Sequence, residues 1–195
     1  MARTAAVHRK TGETDITIEL NLDGSGKSKI ETGIGFFDHM LDAFARHGFF
    51  DMTVKAAGDL HVDGHHTVED TGIVLGQAIA EALGDKKGIS RYGDCTLPMD
   101  ETLALCAVDL CGRPYFVMDG DIAAPMVGDL DTELVREFFY AVSYSAMMNL
   151  HLRILTGSNA HHEIEALFKA FARALDHACS IDPRVEGILS TKGSL

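Results

Sequence analysis

The pattern His-His-x-x-Glu occurs twice in this chain, in DGHHTVEDTG at residues 63–72 and in NAHHEIEALF at residues 159–168. Imidazole and carboxylate both offer lone pairs near neutral pH, so these are the residue types of a metal ligand set. On a helix, positions i and i+4 lie one turn apart on the same face. His65 with Glu69, and His161 with Glu165, can therefore grip one ion. His66 and His162 point about 100° away and could serve a second. Each pair opens an apolar helical stretch, and a helix N-terminus is expected to hold the histidines in the neutral form a metal needs. With nitrogen and oxygen donors and no cysteine, Mn²⁺, Fe²⁺, Co²⁺, Ni²⁺ and Zn²⁺ are all admissible. The zincin pattern H-E-x-x-H is excluded, because Ala166 stands where it would close after His162-Glu163.

The elements that must carry these residues repeat as well. Asp15–Leu22 alternates apolar and polar as a half-buried strand does. The turn DGSG at residues 23–26 suggests a hairpin to a partner strand over Lys27–Glu31. A helix follows over Phe36–His47, then a strand over Met52–Ala56 and a helix from about Thr67 to Leu83. After a break near Gly88–Gly93 the order returns: strands at Thr102–Asp109 and Tyr115–Asp119, a helix over Leu134–Met148, a strand over His151–Leu155 and a helix over His161–Ala178. His39 lies 26 residues before His65. The same count back from His161 falls two residues short of Glu137, and the shorter loop of the second half brings Glu137 close to the register of His39. The expected fold is α+β: two tandem copies of a sheet-plus-two-helices unit, with the helices on one face of each sheet. Residues 1–92 form the first structural repeat and 93–195 the second, together one functional domain.

Composition narrows the function classes. A formal charge of −12 is unsuited to coating nucleic acid. No apolar run reaches the roughly 20 residues of a membrane span, and the opening MARTAAVHRKTGETD lacks the apolar region of a signal peptide. Neither a nucleic-acid nor a membrane partner is expected, and the expected location is the cytoplasm. The four cysteines form no C-x-x-C pair and read as small buried hydrophobes. GSGKS at 24–28 imitates the end of a P-loop, but Asn21 stands where its first glycine belongs and the segment joins two strands.

Six ordered segments carry a resemblance to the imidazoleglycerol-phosphate dehydratase family: GIGFFDHML (33–41), HVDGHHTVEDTG (61–72), SRYG (90–93), GRPY (112–115), NAHHEIEALFKAFARAL (159–175) and STKG (190–193). The resemblance implies a dehydratase of histidine biosynthesis that converts imidazole glycerol phosphate to imidazole acetol phosphate and water. A metal-bound imidazolate and a diazafulvene-like intermediate would carry the reaction. It implies two manganese ions per subunit and a homo-oligomer of twenty-four chains, in which ligands of the two halves are expected to meet across chains. The implied metal ligands are His39, His65, His66, Glu69, Glu137, His161, His162 and Glu165. Two positions depart from the family pattern: Glu137 stands where some members carry a histidine ligand, and Gly64 where an aspartate is common. Glu13 resembles the family's proton-handling glutamate. Arg91, Arg113, Lys169, Ser190 and Lys192 resemble its phosphate clamp, and fixed cations suit a phosphate dianion in an acidic protein. His39, His47, His65 and His161, with Glu13, are implied to border the substrate. On chemistry alone, a binuclear phosphate-ester hydrolase and a metal-storage protein stand beside this reading.

Overall fold

The computed structural model describes residues 3–195. Its first half runs β1 (Thr4–Lys10), β2 (Thr14–Asn21), β3 (Ser28–Glu31), α1 (Gly35–His47), β4 (Asp51–Gly58) and α2 (His65–Leu83). The second half runs β5 (Tyr92–Met99), β6 (Thr102–Asp109), β7 (Tyr115–Asp119), a short ribbon of β8 (Met126–Val127) and β9 (Leu130–Asp131), α3 (Glu133–Ser145), β10 (Asn149–Thr156) and α4 (Ala160–Cys179). The two large sheets have orders β1-β2-β4-β3 and β5-β6-β10-β7. In each, the first two junctions are antiparallel and the last is parallel. This identity of order and sense marks the α+β fold as a duplicated unit.

Alternation along the strands explains the layering. Ile16, Ile18 and Leu20 of β2 are buried, as are Ala104, Cys106 and Val108 of β6, while the residues between them are half-buried or exposed. Each sheet thus offers one apolar face, and the helices of its own half cover it. The helices then pack across the halves, α1 on α4 and α2 on α3. An aromatic layer fills the junction: Phe44 stacks on Phe171 at 5.3 Å and Phe138 on Phe168 at 5.2 Å.

Two glycines let these layers close. A Cβ on Gly76 of α2 would sit 2.7 Å from the carbonyl oxygen of Val142 on α3. A Cβ on Gly93 of β5 would sit 1.9 Å from the carbonyl oxygen of Ala174 on α4. Gly93→Ala should therefore cost stability at the upper end of the roughly 1–3 kcal/mol typical of overpacking, because backbone cannot step aside as a side chain can. Urea unfolding of the variant beside the parent tests this, and an unchanged midpoint would show that α4 can shift.

Three sequence-based expectations are corrected. β3 does not form a hairpin with β2: all eight residues of β2 pair with β4, and β3 takes β4's other edge in parallel. The amides of the intervening turn are spoken for, since Asp51 Oδ1 accepts from Ser25 N at 2.8 Å and Lys27 N at 3.0 Å. β1 and β5, the first strand of each half, were not foreseen. Helix α3 stops at Ser145, not Met148, because Met147 adopts φ 54° and turns the chain into β10.

Candidate metal centre

α1 and α4 lie side by side and run the same way: His39 meets Glu165 near their starts, and Arg173 Nη1 donates to the His47 carbonyl at 3.3 Å near the end of α1. This packing brings three side chains from two halves to one point. Ligand atoms of His39, His161 and Glu165 all lie within 4.8 Å of one another. His161 Nε2 is 3.1 Å and His39 Nε2 3.6 Å from Glu165 Oε2. The Phe36 ring stands edge-on against His161 at 5.0 Å and gives the cluster an apolar side. Residues of the two halves therefore meet at this point within one chain.

Local capping fixes the helices at this point. The Asn159 side chain accepts from His161 N and His162 N at the start of α4. Asp129, from the loop between β8 and β9, accepts from Gly35 N at 2.6 Å and Phe36 N at 3.0 Å at the start of α1. Gly64, at the start of α2, brings no side chain to cap with, and the neighbouring Asp63 carboxylate accepts from His65 N at 2.8 Å instead.

Glu165 is 7% exposed. Burial opposes its ionisation, but the Lys169 hydrogen bond at 2.6 Å, the Lys169 charge and the flanking His39 and His161 outweigh burial and hold its carboxyl below the ordinary value. Burial, reinforced by the Lys169 charge, pushes the His47 imidazole downward, so His47 stands neutral at the far end of the same row.

The duplication supplies a second, related arrangement. α2 packs on α3 as α4 packs on α1, and it carries His65 with Glu69 at 3.7 Å. His65 shares a cleft of about 520 Å³ with Glu137 of α3. In both places the first helix of one half faces the HxxxE face of the other half's second helix.

His66 and His162 have carboxylate partners that the sequence reading missed. Asp59 lies 3.0 Å from His66 Nδ1, and Glu101 lies 2.9 Å from His162 Nδ1. Hydrogen bonds to these carboxylates raise both imidazoles above their ordinary value. The expectation that the helix termini depress them is thus overturned for these two residues, a direct carboxylate contact outweighing a partial dipole charge. The same bond from His162 holds the Glu101 carboxyl at about 2. The remaining nitrogen of His66 faces Glu13, with Nε2 3.8 Å from Glu13 Oε1. Behind Glu13, Thr14 donates to the buried Asp70, which also pairs with Arg9, so this turn is fastened to α2.

Among the cationic residues, Lys169 sits beside Glu165 partway along α4, and Arg91 sits at the end of that helix. Arg91 holds Asp109 with two nitrogens and donates to the Leu189 carbonyl at 2.7 Å. It shares a cleft of about 560 Å³ with Ser190 and Arg184. Arg113 and Lys192 are exposed. Lys169 is engaged with Glu165. Arg91 N donates to the Ala178 carbonyl at the end of α4, and at about 1.5 Å rise per residue that point is about 25 Å from His161. All four cysteines are unpaired; three are buried, and burial pushes the Cys179 thiol up to about 12.

Similarity to known proteins decides the affiliation of the chain. Residues 32–175 match the imidazoleglycerol-phosphate dehydratase family. The chain belongs to that family. An imidazoleglycerol-phosphate dehydratase from Lachnoclostridium phytofermentans is 65% identical over 195 residues, covering all of both chains. One from Acetivibrio thermocellus is 62% identical over the same full span. Among solved structures, the imidazoleglycerol-phosphate dehydratase of Staphylococcus aureus superposes with a TM-score of 0.84 at 42% identity, covering 92% of this chain and 99% of that one. The Pyrococcus furiosus enzyme, solved in complex with (S)-C348, gives a TM-score of 0.84 at 38% identity over 97% of this chain and all of its own. As a member of the imidazoleglycerol-phosphate dehydratase family, the chain is a hydro-lyase of histidine biosynthesis. No helix among the described residues is long and apolar enough to cross a membrane.

Proposed function

We propose that the chain dehydrates imidazole glycerol phosphate to imidazole acetol phosphate with two manganese ions bound at its repeated HHxxE helices. The observation that carries this reading is the convergence of His39, His161 and Glu165 within 4.8 Å. Two imidazoles and a carboxylate suit a divalent cation of intermediate softness, and the Glu165 carboxyl is held below its ordinary value, in the ionised form a ligand needs. His65, Glu69 and Glu137, with His66 and His162, would complete the two ligand sets. Bound manganese would supply Lewis-acid stabilisation of the substrate's imidazole ring as its anion, the form able to expel the hydroxyl on the attached carbon.

The chain's own residues account for the rest. Glu13 takes the proton from the neighbouring carbon as the C–H bond breaks, and the resulting enol becomes the ketone while hydroxide and proton leave as water. Thr14, Asp70 and Arg9 hold the turn on which Glu13 rides. His47, kept neutral, borders the substrate without adding charge. Arg91, Arg113, Ser190 and Lys192 receive the phosphate, with Lys169 at the border between phosphate and metal.

The separation of about 25 Å along α4 supports a shared site. A substrate only a few bonds of about 1.5 Å long cannot reach from His161 to Arg91 of one chain, so the phosphate-binding residues come from a neighbouring subunit of the homo-oligomer, proposed to number twenty-four chains. The unpaired cysteines agree with a cytoplasmic setting. Incubation with imidazole glycerol phosphate, followed by parallel assays for ketone and inorganic phosphate, tests the reaction. Ketone without phosphate is expected. Phosphate release without ketone would favour hydrolysis of the ester.

A further inference from the structure

We infer that duplicated glutamates have taken different jobs: Glu101 is a positioning residue that fixes the His162 ring, whereas Asp59 fixes His66 and so leaves Glu13 free to handle protons. The inference rests on the metal reading above.

Glu13 and Glu101 occupy one place in the repeat. Each is the last residue of the turn between the first two strands of its sheet, and each is followed by a buried threonine, Thr14 and Thr102, that opens the second strand. Each also lies near the second histidine of its half. The contacts differ. Glu101 Oε2 sits 2.9 Å from His162 Nδ1, and its other oxygen accepts from Asn159 N at 3.1 Å and Thr102 Oγ1 at 3.1 Å. Glu101 is thereby committed to the start of α4. In the first half, Asp59 takes the equivalent Nδ1, at 3.0 and 3.2 Å from its two oxygens. Glu13 lies instead across the ring, 3.8 Å from Nε2, and no side-chain hydrogen bond engages its carboxylate among the described residues.

The consequence for the rings is the same in both halves. A carboxylate at Nδ1 fixes the proton there and turns Nε2, with its lone pair, outward. Both second histidines are thus prepared to ligate through Nε2. The carboxylate arrives from a different element each time, Asp59 following β4 and Glu101 preceding β6. The polar fastening behind Glu13 is also confined to one half: Asp70 stands in the position of α2 that Ala166 holds in α4, each one residue after the pattern's glutamate. One copy of the turn glutamate anchors a ligand, and the other is held from behind with its carboxylate open.

The test is Mn²⁺ binding by the chelator-stripped full-length protein, read as free Mn²⁺ by electron paramagnetic resonance, with melting of the metal-free protein as a control for folding. Asp59→Ala and Glu101→Ala should each weaken Mn²⁺ binding about 10–100-fold, the usual loss for a ligand's hydrogen-bond partner. Glu101→Gln, whose one carbonyl oxygen can still accept from Nδ1 though no longer from Asn159 N as well, should lose less Mn²⁺ affinity than Glu101→Ala. Glu13→Gln should bind Mn²⁺ as the parent does. Equal Mn²⁺ affinity in all variants, or a loss in Glu13→Gln matching that in Glu101→Gln, would overturn the division of roles with the metal reading intact. No Mn²⁺ binding by the parent protein would overturn both.

Discussion

Glu13→Gln should lower turnover roughly 10²–10⁴-fold, the range supplied by a positioned general base, with manganese binding and assembly preserved. The substitution keeps the shape of the side chain and removes only its ability to take a proton. The turn that carries it does not rely on its charge, being held by Thr14 on Asp70 and by the Thr11 hydroxyl accepting from Glu13 N at 3.1 Å. The loss should therefore fall on kcat more than on KM, the mark of an interaction made in the transition state. Steady-state kinetics beside a manganese titration separate these effects. Near-normal kcat would remove Glu13 from the proton transfer and leave the metal centre standing.

Glu165→Gln should act on the other half of the chemistry. Glu165 Oε2 is the common point of His39 and His161, and Oε1 holds Lys169. A neutral amide there cannot offset the charge of a dication, and it leaves the Lys169 ammonium without its anion at 2.6 Å. Loss of Mn²⁺ affinity should exceed the roughly 10–100-fold of an outer hydrogen-bond partner, and turnover should fall with it. Added Mn²⁺ should restore part of the activity, which it cannot do for Glu13→Gln. Unchanged affinity in Glu165→Gln would mean that the convergence seen within one chain is an ion-pair network around Lys169 and not a ligand set.

The two residues differ in how readable they were. Glu165 stands out because a helix has a fixed period: His161 and Glu165 at i and i+4 must share a face, and the copy at His65 and Glu69 repeats the signal. That both faces meet the opposite half's first helix was not readable, because it depends on α1 packing parallel to α4. Local patterns say nothing about which helix faces which. The duplicated α+β fold followed from the order of elements, yet the first strand of each half escaped notice. β1 and β5 are edge strands, and β5 carries Gly93, which weakens the strand pattern, and Pro98, which is confined to edges. The misplaced β3 has a related cause, since a turn sequence fixes where the chain bends but not which strand occupies the sheet interior. Asp59 and Glu101 were missed because a lone carboxylate in a loop carries no period. The signal available for Glu101 was its place in the repeat, one residue before Thr102 as Glu13 is before Thr14.

The most direct measurement is turnover of chelator-stripped protein as Mn²⁺ is returned, with bound metal counted per chain at each step. Negligible ketone formation is expected without metal, with activity rising as occupancy approaches two ions per chain and no inorganic phosphate released at any stage. Full turnover by protein shown to be metal-free would contradict the account, because the repeated HHxxE faces would then hold nothing on which the dehydration depends.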